Sequence, residues 1–209
     1  MRVSERPFEW ELRAADGRRM GEGRSPGLHL SDVINNMKAC LGETYPDSSG
    51  GENFMVWGFI WEMLVPKILA RYFGFQRPLR VLQGETKLDG IACTPDAINT
   101  DDGYLEEYKA TWIGQKRLGP EDQTDEELLE NLLNNPDPKT ARKFYWWLVQ
   151  LRANCWVQGT ERARLVIAFL SFPPRFRCIE FEFPEQELRE NWRMLLREAP
   201  AALREMESR

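Results

Sequence analysis

Two carboxylates and one lysine stand close together in this chain of 209 residues: Asp96, just after Pro95, and Glu107, two residues before Lys109. Alternate side chains on a strand share a face. Glu107, Lys109 and Leu105 therefore point one way, and Glu106 and Tyr108 the other. A preceding strand or hairpin can bring Asp96 beside Glu107. Two carboxylates so placed make a hard oxygen site suited to Mg²⁺ or Mn²⁺. A lysine next to them meets the remaining needs of phosphodiester hydrolysis. It orients or helps deprotonate a water, offsets charge on the pentavalent phosphorane, and relieves repulsion between the acids. The competing reading is a turn at Pro95-Asp96 and an exposed, charged strand face; the spacing alone does not choose between them.

The elements around these residues bear on the choice. A largely buried helix is predicted over 53–73, kinked at Pro66 and stopped at Gly74. Glu62 interrupts its apolar run, which costs stability unless the acid has a partner such as a metal-bound water; otherwise it lies on a solvent edge. Strands follow at about 78–85, 88–99 and 103–111, broken by Gly84 and by Asn99-Thr100-Asp101-Asp102-Gly103. An acidic helical segment covers 121–135, with Thr124 as a candidate cap. A strong helix runs over 138–157 to Gly159 and carries Gln150, as an active-site group or as a buried hydrogen-bonding one. Strands at 163–171 and 175–183 flank Pro173-Pro174, and a helix over 185–207 closes the chain. Nearer the N-terminus, residues 7–13 suggest a short strand or hairpin, and Ser31 a cap for a helix over 31–40. The order fits one α/β domain over 1–209, its mixed β-sheet flanked by helices, with a core at about 28–183.

At this point the chain resembles the PD-(D/E)xK nuclease superfamily, and within it the phage lambda-type exonucleases and RecB-like nucleases. The resemblance spans about residues 28–170. Gly58-x-x-x-Glu62, Thr94-Pro95-Asp96, Leu105-Glu106-Glu107-Tyr108-Lys109 and Gln150 follow the family's motifs in order. It implies a restriction-endonuclease-like fold and a metal-dependent DNA exonuclease. Asp96, Glu107 and the backbone carbonyl of Tyr108 would ligate Mg²⁺ or Mn²⁺, with Glu62 acting through water or completing a second position. Lys109 would position the attacking water, supported by Gln150. It further implies 5′-to-3′ resection of linear duplex for recombination, a toroidal trimer, and a single-strand annealing protein as partner. Ser31 falls at the family's early serine, which contacts the terminal phosphate. Two features depart from the pattern. RecB-like members often place a tyrosine where this chain has Asn154, and 121–135 looks like an insertion.

Composition narrows the field further. The net charge is −5, so bulk charge alone does not hold nucleic acid, although a local basic channel can track phosphates. Lys87, Lys116, Arg117, Arg142, Lys143 and Arg152 are the candidate phosphate contacts, or solvated surface charges. Trp112, Tyr145, Trp146 and Trp147 would stack on a frayed end, with core packing the use for at least two of them. The single histidine, His29, argues against histidine chemistry. Cys40, Cys93, Cys155 and Cys178 form no CxxC pair, which leaves buried free thiols as the expectation. No membrane span or signal peptide is read, and a cytoplasmic protein is expected. Two rivals remain: a site-specific or structure-selective endonuclease with the same site, and a catalytically silent DNA-binding module.

Overall fold

The computed structural model describes residues 25–43, 61, 64–65, 71, 80–82, 85–99, 103–111, 123–170 and 175–208. Among them, eight strands form two mixed sheets. The larger sheet has the order β2 (Arg80–Leu82), β5 (Ala97–Asn99), β6 (Leu105–Thr111), β7 (Arg162–Phe169), β8 (Arg175–Glu182). Its one parallel pair is β6 with β7, in register from Leu105↔Ala163 to Thr111↔Phe169. From Ala163 to Phe169 every residue of β7 is buried, as a strand covered on both faces must be.

Between β6 and β7 the chain runs through α2 (Asp125–Leu133) and α3 (Pro138–Gln158). Both helices begin where their caps dictate. Thr124 Oγ1 accepts from the Glu127 amide at 3.2 Å, and Glu127 Oε2 accepts from the Thr124 amide at 2.8 Å, a reciprocal capping box. Asp137 caps α3, Pro138 fills its first turn, and Gly159 ends it at φ 67°, a left-handed stop that favours glycine. One face of α3, through Phe144, Leu148 and Leu151, packs on Leu105, Leu165 and Ile167 of the sheet. Its other face, through Trp146, Val149 and Ala153, meets Val33 and Ile34 of α1 (Leu30–Cys40) and Trp192 and Leu195 of α4 (Glu185–Glu207). Burial on both sides fixes α3 against the strand that carries Glu107.

The opposite face of the sheet is also covered. Trp61 and Val65 are helical and pack with Tyr108, Val166 and Ala168. The rest of the predicted 53–73 helix, with Glu62, Pro66 and Gly74, lies outside the described residues, as does the strand expected at 7–13.

The strand expected over 88–99 is instead three pieces. Leu88 ends β3 (Thr86–Leu88). Asp89 and Gly90 turn the chain with φ of 50° and 84°, the positive values a tight hairpin needs. β4 (Ile91–Cys93) then pairs antiparallel with β3 and parallel with β1 (Leu28–His29) in the smaller sheet, whereas β5 joins the larger one. Pro95 has no N–H to continue a ladder, so Thr94-Pro95-Asp96 steps from one sheet to the other. At α1 the cap is His29 and not Ser31. Asp32 Oδ2 accepts from the His29 amide at 3.1 Å, which draws the helix start back and leaves Ser31 inside the first turn.

Candidate active site

Glu107 lies on the α3 side of β6 and is 1% exposed. A carboxylate buried so deeply must be compensated, and three side chains do this. Lys109 Nζ donates to Glu107 Oε1 at 2.6 Å, Gln150 Nε2 donates to the same oxygen at 2.6 Å, and Asn154 Nδ2 donates to Oε2 at 3.0 Å. Lys109 also donates to Gln150 Oε1 at 3.1 Å. Gln150 thus faces the carboxylate with its NH₂ and the ammonium with its oxygen, closing a triangle. Asp96, on the step between the sheets, accepts from the Tyr108 amide through Oδ2 at 2.6 Å. That bond holds the second carboxylate at the backbone of the residue between Glu107 and Lys109.

Asn154 went unread as a contact, although its spacing carried the signal. Residues four apart share a helix face, so Asn154 stands one turn beyond Gln150 over the same strand. There it grips the second oxygen of Glu107.

The basic candidates separate by position. Lys143 Nζ donates to Thr111 Oγ1 at 3.0 Å; Thr111 lies on the Glu107–Lys109 face, one pleat beyond Lys109. Arg142 pairs with Glu43 at 3.3 Å. Arg152 pairs with Glu187 at 2.5 Å and covers the Phe183 ring, a packing role between α3 and the start of α4. Lys87 is on β3 in the smaller sheet, donating to the Pro26 carbonyl at 3.1 Å. Ser31 sits in the first turn of α1. Glu62, Lys116, Arg117 and Trp112 lie outside the described residues. Trp146 and Trp147 are buried in the core and Tyr145 is exposed, so stacking on a base is open only to Tyr145 among these three.

The donor set is oxygen. Among the described residues no group of three or more His, Cys, Asp or Glu gathers, leaving the two carboxylates and the backbone. His29 is turned away, its Nε2 2.9 Å from the Ser25 carbonyl. Burial first, and the Glu107 charge second, push the Cys93 and Cys155 thiols up to about 12, so both stay protonated and neither offers a thiolate. Cys40 is exposed, against the expectation of buried thiols throughout. Alkylation of the native protein followed by peptide mass analysis is therefore expected to label Cys40 readily, and Cys93 and Cys155 only after unfolding. Labelling of Cys93 as fast as Cys40 would contradict this burial.

An acid–x–lysine strand thus stands at the centre of a mixed sheet, backed by a glutamine-bearing crossover helix. No protein-family model and no curated protein sequence matches the chain. Solved structures do. A phage related exonuclease from Haemophilus somnus 129PT is similar over 85% of this chain and 82% of its own, with a TM-score of 0.53 and 13% identity. An alkaline exonuclease from Laribacter hongkongensis aligns over 85% of this chain and 82% of its own, with a TM-score of 0.42 and 15% identity. The first likeness is one of fold, and it is the fold the lambda-type resemblance implied. Among the described residues no helix is long and apolar enough to cross a membrane.

Proposed function

We propose that the protein is a metal-dependent deoxyribonuclease acting exonucleolytically on linear duplex DNA. The observation that carries this reading is the closed contact among Glu107, Lys109 and Gln150, with Asp96 bonded to the backbone between the first two. A purely structural ion pair needs neither the second carboxylate nor an amide bridging acid and base.

Asp96, Glu107 and the Tyr108 carbonyl fit Mg²⁺ or Mn²⁺ by donor chemistry and would hold the ion; Glu62 is a further candidate on the sequence motif alone. When bound, the ion supplies Lewis-acid stabilisation of a phosphate oxygen and a more acidic water. The chain's own groups do the rest. Gln150 fixes the Lys109 ammonium and the Glu107 carboxylate relative to one another. Lys109 then donates to the incoming water or a non-bridging phosphate oxygen and offsets the negative charge that grows there. Asn154 keeps Glu107 from rotating. The proposed mode is 5′-to-3′ degradation by a homotrimeric ring that encloses its track, working beside a single-strand annealing protein. Enclosure suits a chain of net charge −5, since a threaded enzyme need not bind a polyanion tightly.

The test is digestion of end-labelled linear duplex and closed circular DNA, with Mg²⁺ or with EDTA, alongside a mass by light scattering. Loss of cutting in EDTA, sparing of the circle and a trimer mass are expected. Undiminished cutting in EDTA would reject the metal site. A monomer that opens the circle as fast as it shortens the linear fragment would replace the exonuclease by an endonuclease.

A further inference from the structure

Lys38, near the end of α1, reaches the same end of the site as Lys143. Its Nζ lies 5.9 Å from the centre of the Trp146 ring, and Lys143 Nζ lies 5.3 Å from that of Trp147. Both lysines are half-buried, and among the described residues neither has a carboxylate within 4 Å. The carboxylate that acts on Lys38 is Glu43, but both its oxygens are engaged. Oε1 faces Arg142 at 3.3 Å and Oε2 accepts the Trp146 indole N–H at 3.0 Å. Lys143 has only the Thr111 hydroxyl and the Trp147 face among its described contacts.

The three ammonium groups also feel one another. The pKa of Lys38 is lowered by burial and then by Lys109, with Glu43 acting in the opposite sense. Burial and then Lys109 and Lys38 lower that of Lys143. Like charges gathered in a partly desolvated place destabilise the fold unless an anion completes the set. In a chain of net charge −5, such a gathering concentrates positive potential at one spot.

We propose that Lys38 and Lys143, next to Lys109, form a phosphate-binding subsite that seats the nucleic-acid strand beside Glu107. The subsite rests on the nuclease reading for its ligand class, and it assigns Lys38 a role no motif gave it. The ligand is a phosphate group, either an internal diester or a terminal monoester. The two ammonium groups lie over the Trp146 and Trp147 faces, and Lys143 is held by Thr111 on the Glu107–Lys109 face, so the strand meets a preformed pair of donors.

The test is fluorescence anisotropy of a short labelled duplex in EDTA, across a salt series, with 5′-phosphate and 5′-hydroxyl ends compared. Lys38→Met and Lys143→Met are each expected to weaken binding about tenfold and to lower the salt slope by about one. Lys143→Gln, which keeps a donor for Thr111, should bind as weakly as Lys143→Met, while exposed Lys139→Met should bind like the parent. Melting temperatures of the lysine variants should hold or rise, since each removes a repelled charge. Equal losses with both ends assign an internal diester; losses confined to the phosphorylated end assign the terminal monoester. Unchanged affinity and slope in Lys38→Met and Lys143→Met, or no binding by the parent, overturn the subsite. Lysine-dependent binding with no metal-dependent cutting would leave the subsite standing and remove the nuclease reading.

Discussion

Lys109→Met is expected to cut linear duplex about 10²–10⁴-fold more slowly than the parent, the range for loss of a group that acts on the proton and charge of the transition state. Its binding of DNA should change far less. The reason is geometric: Lys109 is bonded to both Glu107 and Gln150, at 2.6 and 3.1 Å, so its position is fixed before any substrate arrives. An interaction prepared for the transition state lowers kcat when it is removed and leaves ground-state affinity almost alone. Glu107→Gln and Asp96→Asn should abolish cutting and, with it, metal binding by calorimetry. Single-turnover rates on end-labelled DNA read the first variant, provided its melting curve shows a folded protein. A Lys109→Met enzyme as fast as the parent would remove Lys109 from the chemistry.

Glu106→Ala is expected to unfold the protein more readily, by about 3–5 kcal/mol, as for breaking a buried ion pair from one side. Glu106 faces away from Glu107, as strand alternation requires, yet it does not face solvent. β6 is covered on both faces, and Glu106 is 0% exposed. The Tyr108 hydroxyl donates to it at 2.5 Å, and Arg164, itself 4% exposed, stands 3.7 Å away. Removing the acid leaves that guanidinium buried with Glu180, 2.8 Å from Arg164 Nε. Arg164 also lies over the Tyr104 ring at 4.0 Å. Urea denaturation reads the loss, and the folded fraction should keep its specific activity. An unchanged denaturation midpoint would show that the pair contributes nothing.

Much of the site was legible because strand and helix periods are rigid. Glu107 and Lys109 had to share a face, and Gln150 had to lie on a helix that crosses back over that strand. Caps made several boundaries readable: Thr124, Pro138 and Gly159 stop or start helices for local reasons, and α4 spans the predicted 185–207. What was hidden depends on partners distant in sequence. The segment 88–99 carries its breaks in Asp89-Gly90 and Pro95, but nothing in it tells that its two ends belong to different sheets. Asn154 reads as an ordinary polar residue until Glu107 is placed beneath it. Lys38 matters only because α1 docks against α3 and brings it to Trp146.

The parallel pairing of β6 with β7 sets an order of events in folding. Gln150 and Asn154 are 43 and 47 residues from Glu107 along the chain, and neither can reach it until the crossover through α2 and α3 has closed. Loop closure of that length is entropically costly, and non-local pairings of this kind form slowly. Before closure Glu107 and Lys109 already lie two residues apart, so a collapsed chain can hold the acid and the base with no amide to fix either. Competence therefore arrives with the docking of α3, late and all at once. A nascent chain still short of residue 154 carries every charged residue of the centre while lacking the part that makes them act together.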